Sequence, residues 1–321
     1  MINQRRNNGT VLSYIFGNRP QFNHQQQLKA EIIKSVVFVF ISSLFCTCLI
    51  YGVYFLGLLF GVERNSVISY LSSNSINGLF FTSVILIISY YLAYYFTFKR
   101  TDNIIKEIKV KDAISVKQNK FIICLIGYGF AMLGNLISAL ACTGLEYIAS
   151  FFDSNVQSTV NNSTNGGYLN YSPFESSIFG MLILFIFTVI IPPITEEIIF
   201  RKVMYEHLNV FNPKISVLLT SILFGFFHGN IQQITFGVFA GFGFVLIKKY
   251  TGNLKYCILV HTLVNLSAFI VQYLSNNNNT ILICSNIFII LSASIAVLLF
   301  AFNETLIKTV FKQISVPTKE E

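Results

Sequence analysis

Eight hydrophobic stretches occupy most of the chain, at roughly 35–60, 79–98, 121–145, 177–194, 214–228, 231–247, 256–274 and 281–302 of its 321 residues. A helix needs about 20 mostly apolar residues to cross a hydrocarbon core, and most of these stretches approach that length, although 214–228 is short. Composition agrees: 54% of residues are hydrophobic and 11% charged, where a soluble domain carries about 25% charged residues. That excludes a soluble enzyme, a disordered chain and a collagen-like fibre. The expected fold is all-α, a polytopic membrane bundle of about eight transmembrane helices.

The net charge of +8 follows from orientation in the membrane. Basic residues fall in alternate loops: five before the first stretch, seven between Lys99 and Lys120, three after the fourth (Arg201, Lys202, Lys214), three after the sixth (Lys248, Lys249, Lys255) and three in the tail. Only Arg64 lies on the other side, so 21 of 22 share one face, which the positive-inside rule makes cytoplasmic. Both termini are then cytoplasmic, and no nucleic-acid partner is needed. All six cysteines (Cys46, Cys48, Cys124, Cys142, Cys257, Cys284) fall in apolar stretches and read as small buried hydrophobes. No cleavable signal peptide is visible, and the terminal Val-Pro-Thr-Lys-Glu-Glu carries no prenylation box.

The chain divides into a polar cytoplasmic arm (1–34), three membrane helices (35–152), an extracytoplasmic Asn- and Ser-rich connector (153–176), a chemistry-rich membrane core (177–275), a last membrane helix (276–305) and a cytoplasmic tail (306–321). The connector reads as flexible and turn-rich. No internal repeat or pair of matched broken helices appears, which counts against a transporter relaying protons through buried Glu and His. The small-residue run Gly237-x-x-Ala240-Gly241-x-Gly243 permits close helix approach.

Ionisable groups at membrane depth cost about 2.5–3.5 kcal/mol each on insertion scales, so each demands a reason. In Pro192-Pro193-Ile194-Thr195-Glu196-Glu197-Ile198-Ile199-Phe200-Arg201, two prolines are expected to break the fourth stretch, and Thr195 to cap a new helix. Glu197 and Arg201 are four apart and able to pair. Glu196 faces about 100° away and lacks that partner, which suits it to act as a general base. By itself this segment equally describes a capped, salt-bridged helix at the membrane surface. Phe224-Gly-Phe-Phe-His228 follows, and a lone His at a helix end is ordinarily interfacial. His261-Thr-Leu-Val-Asn265 comes third, with His261 about 10 Å into its helix from Leu254. A His–Asn pair can also simply join helices. His24 and His207 lie in polar stretches and are expected at the surface.

Together these groups meet the needs of water-mediated hydrolysis. Glu196 takes a proton from water, a His polarises that water or protonates the leaving amine, and His261 or Asn265 donates to the oxyanion. No Ser or Cys stands beside a His in a nucleophile motif, and Asp102, Asp112 and Asp153 all lie in loops.

Glu-Glu-x-x-x-Arg (196–201), Phe-x-x-x-His (224–228) and His-x-x-x-Asn (261–265), in that order on late membrane stretches, resemble the three signature motifs of the CPBP family. These are the type II CAAX prenyl endopeptidases and their bacterial relatives, the Abi or bacteriocin-immunity proteins. The resemblance covers about residues 175–275. It implies an all-α fold, a cavity opening to the cytoplasm, and cleavage of a membrane-associated or lipidated peptide, or a small membrane-protein substrate. Glu196 would activate water, His228 and His261 would line the site, Asn265 would support the oxyanion, and Glu197, Arg201 and Phe224 would hold the site together. A non-catalytic immunity or scaffold protein that kept this architecture is the alternative. The expected location is a bacterial plasma membrane, among its lipids, or the endoplasmic reticulum in a eukaryote.

Glu196, His228 and His261 could also form a three-ligand zinc site with an open position. There is no His-Glu-x-x-His helix, and with Glu196 on metal the remaining base would be the already paired Glu197. The expectation is therefore no cofactor, with one divalent zinc ion as the alternative. A geometric conflict remains between the motifs and the stretches. Drawn as straight spans, they put Glu196 near the cytoplasmic edge and His228 about 20 Å deeper. Either 214–228 is tilted or re-entrant, or the boundaries across 195–230 lie elsewhere.

Overall fold

A computed structural model describes residues 24–66, 76–99, 101, 119–165, 178–275 and 279–310. These residues form helices and no strand: α1 (His24–Leu59), α2 (Ile76–Thr97), α3 (Lys120–Ala149), α4 (Ser154–Asn165), α5 (Ile178–Phe211), α6 (Pro213–Phe226), α7 (Ile231–Thr251), α8 (Leu254–Ser275), α9 (Asn279–Ala301) and α10 (Glu304–Val310). Seven of them (α1, α2, α3, α5, α7, α8 and α9) are long and apolar enough to cross a membrane; α6 is not. Large apolar side chains point outward along these helices, among them Phe40 and Phe55 on α1, Phe179 on α5, Ile222 on α6 and Ile287 on α9. Such a surface is stable only against lipid tails. This is an integral membrane protein.

The centre is α7, where Gly243–Tyr250 are all buried. It packs along α3 on one side and α6 on another. The small-residue run makes this possible. A Cβ on Gly237 would lie 2.8 Å from Gly225 Cα, and one on Gly243 would lie 2.5 Å from Gly127 O. Asn230 caps α7 by accepting from Gln233 N at 2.8 Å, and Gly252, with φ 65°, ends it in the left-handed conformation a glycine adopts freely.

Several expectations are corrected. The fourth hydrophobic stretch does not stop at 194. Pro192 and Pro193 sit inside α5, which continues to Phe211 by widening into π-helical turns over Ile186–Ile190 and Ile198–Tyr205. Thr195 is not a cap: its hydroxyl donates back to Ile191 O (3.0 Å) and Pro192 O (3.1 Å) within the helix. The turn falls instead at Asn212, which caps α6 by accepting from Lys214 N and Ile215 N, with Pro213 at the first helical position. Measured from that turn, Glu196 lies about 24 Å back along α5 and His228 about 22 Å forward past α6, so the depth conflict disappears.

The connector is not wholly irregular, because residues 154–165 form α4, held to α3 by a Thr164 hydroxyl donating to Glu146 at 2.5 Å. Residues 166–177 lie outside the described residues, as do 1–23 of the N-terminal arm, the 311–321 end of the tail and the His24 side chain. The arm's last part is helical, since α1 begins at His24. His207 is not at the surface: it is 1% exposed and packs edge-on against Phe98, with ring centroids 5.1 Å apart. The cysteines are all free, but only Cys142 and Cys257 are buried, while Cys48 and Cys284 are exposed.

Candidate active site

The motif residues converge from α5, α6 and α8. Glu196 and Glu197 lie in the short α-helical stretch between the two π segments of α5, and both are buried. Arg201 is 0% exposed, and its Nε lies 3.1 Å from Glu197 Oε2. That contact is an ion pair without hydrogen-bond alignment, since neither atom has a hydrogen-bond partner. The guanidinium donates from Nη2 to Gly241 O at 3.0 Å and lies over the Phe224 ring (4.5 Å to its centroid), with Phe244 at 5.4 Å. An aromatic cage and one glycine carbonyl thus take the place of water around a buried cation.

The other oxygen of Glu197 holds His261: Oε1 is 3.0 Å from Nδ1. A carboxylate accepts, so Nδ1 carries a proton, and in the neutral form of the ring Nε2 carries the lone pair. Phe244 stacks on the same imidazole at 4.7 Å and 26°. His228 is fixed differently. Its Nδ1 is 2.8 Å from Phe224 O, one of the carbonyls left over at the end of α6, and a carbonyl only accepts. Its Nε2 therefore also presents a lone pair. Gly229, with φ 74°, then reverses the chain into α7. Phe224 touches both imidazoles edge-to-face, 5.2 Å from His228 and 5.7 Å from His261.

Both Nε2 atoms lie 3.9 Å from Glu196 Oε2, which has no hydrogen-bond partner. That separation is too long for a direct hydrogen bond. Among the described residues no group of three or more His, Cys, Asp or Glu is arranged to hold a metal ion.

Asn265 does not pair with His261. Its Nδ2 donates to Thr188 O at 3.0 Å. In a regular helix Thr188 O would accept from residue 192, which is Pro192 and has no N–H. The Pro-Pro pair thus frees a carbonyl on α5 that fastens α8. Sequence reasoning did not single out Thr188 or Phe244, and took Gly241 only as a packing residue, because their parts here depend on neighbours distant in the chain. Glu196, His228, His261 and Asn265 open onto one cavity of about 590 Å³ between α3, α5, α7, α8 and α9.

Residues 178–267 match the family described as type II CAAX prenyl endopeptidase Rce1-like. This core is similar to that family. The Rce1-like match takes in every motif residue, from Glu196 to Asn265. Over 224 residues, 65% of this chain, the protein is 28% identical to an uncharacterized protein of Mycoplasma capricolum. Over 94 residues, 28% of the chain, it is 31% identical to the Bacillus subtilis protein named "Putative membrane peptidase YdiL". The matches span 61% and 37% of the length of these two relatives. No solved structure matches the chain.

Proposed function

We propose that the protein is an intramembrane endopeptidase that cleaves a membrane-associated or lipidated peptide with water activated by Glu196. One observation carries this reading: Glu196, which lines the cavity, has a buried Oε2 without a hydrogen-bond partner and two imidazole Nε2 atoms 3.9 Å from it. A water in that gap donates one hydrogen to the Glu196 carboxylate and the other to an Nε2 lone pair. As its oxygen attacks the scissile carbonyl carbon, Glu196 takes the proton. The amide hydrogen of Asn265 not used on Thr188 stabilises the oxyanion. The proton then passes to the leaving amine as the C–N bond breaks, giving a carboxylic acid and an amine. Glu197 takes no part in proton transfer, because its two oxygens orient His261 and neutralise Arg201. The name of the Bacillus subtilis relative agrees with this reading.

The test is purified protein in lipid with a library of quenched fluorescent peptides, with and without a chelator. Glu196→Gln is expected to abolish cleavage while the protein stays folded, and activity is expected to survive chelation. Cleavage retained by Glu196→Gln would overturn the role of Glu196. Activity lost on chelation and restored by zinc would replace the metal-free mechanism with one through a bound ion.

A further inference from the structure

A peptide bond inside a helix has its carbonyl tied to the next turn, so a segment to be hydrolysed must be presented unwound. Each unwound residue bares an N–H and a C=O, and each group left unbonded in apolar surroundings costs several kcal/mol. The cavity wall beyond the Glu196 cluster is mostly unable to satisfy them, being lined by side chains such as Met132, Phe236 and Val264. The hydroxyls of Ser267 and Ser285 are spent on their own helices, donating to Val264 O (2.7 Å) and Leu282 O (2.8 Å).

Two carboxamides remain. Asn135, midway along the apolar α3, lines the cavity as an exposed residue, and no hydrogen bond ties it to a described residue. Gln233, in the first turn of α7, lines the same cavity. Its Oε1 accepts from Asn230 Nδ2 at 2.7 Å, which leaves its NH2 group uncommitted. The two come from adjoining turns of packed helices, as Ser138 on α3 donates to Gln232 O at 2.7 Å. A carboxamide offers both donor and acceptor and so matches the peptide unit.

We propose that Asn135 and Gln233 form a subsite that hydrogen-bonds the backbone of an extended peptide next to the bond attacked from Glu196. This inference rests on the hydrolytic reading above and gives it a substrate requirement: free backbone amides in an unwound segment, whatever the side chains. Cys284, free, exposed and lining the same cavity, supplies a reporter.

The test uses the full chain carrying Glu196→Gln, in lipid nanodiscs. Modification of Cys284 by N-ethylmaleimide is followed by mass spectrometry with rising concentrations of a capped oligoleucine amide, or of the same peptide N-methylated on its backbone. The unmethylated peptide is expected to protect Cys284. Adding Asn135→Leu is expected to raise the half-protecting concentration about tenfold, as for one lost hydrogen bond, and Asn135→Gln to restore it. The methylated peptide, which keeps its carbonyl acceptors but has lost its N–H donors, is expected to depend less on residue 135. Gln233→Met serves as a second variant should Asn135→Leu not elute as folded protein. Absence of protection in the parent, or equal protection in the parent and both apolar variants, overturns the subsite. Cleavage is measured separately on the Glu196 protein. Asn135-dependent binding without cleavage retains the subsite and removes the hydrolytic reading; cleavage untouched by Asn135→Leu does the reverse.

Discussion

Helix α5 runs through two groups of buried charge about 15 Å apart along its axis. Midway, Glu196, Glu197 and Arg201 meet His228 and His261. Near its end, His207 Nδ1 lies 3.2 Å from Glu31 Oε2, whose other oxygen takes Lys34 Nζ at 2.6 Å; Lys34 in turn donates to Thr101 at 2.6 Å. All of these side chains are buried except His228, which is partly exposed. They differ in what is left over. Glu31 has a partner on each oxygen and joins α1, α5 and the segment after α2 into one closed knot. Glu196 keeps a buried oxygen without a hydrogen-bond partner, and the residue lines a cavity. Buried charge at membrane depth is thus an incomplete signal of function; an unfilled valence beside open space is the sharper one.

The comparison breaks most easily at the two glutamates. Glu196→Gln should lower turnover by about 10²–10⁴-fold, the usual share of a general base, with the thermal midpoint held. Glu31→Gln should do the opposite, lowering the midpoint and preserving turnover per folded molecule; activity lost equally in both would erase the distinction. Arg201→Met strands Glu197 without its cation and should cost about 3–5 kcal/mol in a denaturation assay, as removal of one partner from a buried pair does. Lys34→Met alone should behave likewise, whereas Lys34→Met combined with Glu31→Gln should recover part of the loss, since no charge is then left unpaired. The smallest effect is expected for Gly241→Ala. Its new Cβ would lie 3.1 Å from Ser221 Cα and O, overpacking worth about 1–3 kcal/mol that also shifts the carbonyl under Arg201. Unchanged stability there would mean that α6 and α7 can part at little cost.

The bundle and the motif positions were legible in the sequence because both depend on short-range pattern. Apolar length gives the crossing helices, and four-residue spacing gives the Glu197–Arg201 pair. The errors came where a local rule met a distant partner. Two prolines normally stop a helix, but here the bonds they forfeit are made up by wider turns and by Asn265, 77 residues on from Thr188. His207 reads as a polar surface residue until Glu31, 176 residues earlier, is placed beside it. Asn265 looked like a partner for His261 because they share a helix face, yet each is satisfied by α5. The short α6 was a puzzle only while α5 was cut at 194; with the turn at Asn212, its 14 residues suffice to bring His228 level with Glu196.

The π turns of α5 carry a consequence for its two ends. A turn closed by an i→i+5 bond holds one residue more than an α turn, so each widened segment is in effect a single-residue insertion absorbed without a break. It sets the phase between what lies before and after it. If the same residues wound as regular α turns, with none removed, Glu196, Glu197 and Arg201 would stay in place, yet His207 would be turned by about 100° and pushed along the axis by about 1.5 Å relative to them. The face carrying Glu196 and the anchoring knot would then no longer be in register on one rod. The extra residue works like a keyway on a shaft, setting the angle at which the far end of the helix locks to α1 while its middle is aimed at the cavity.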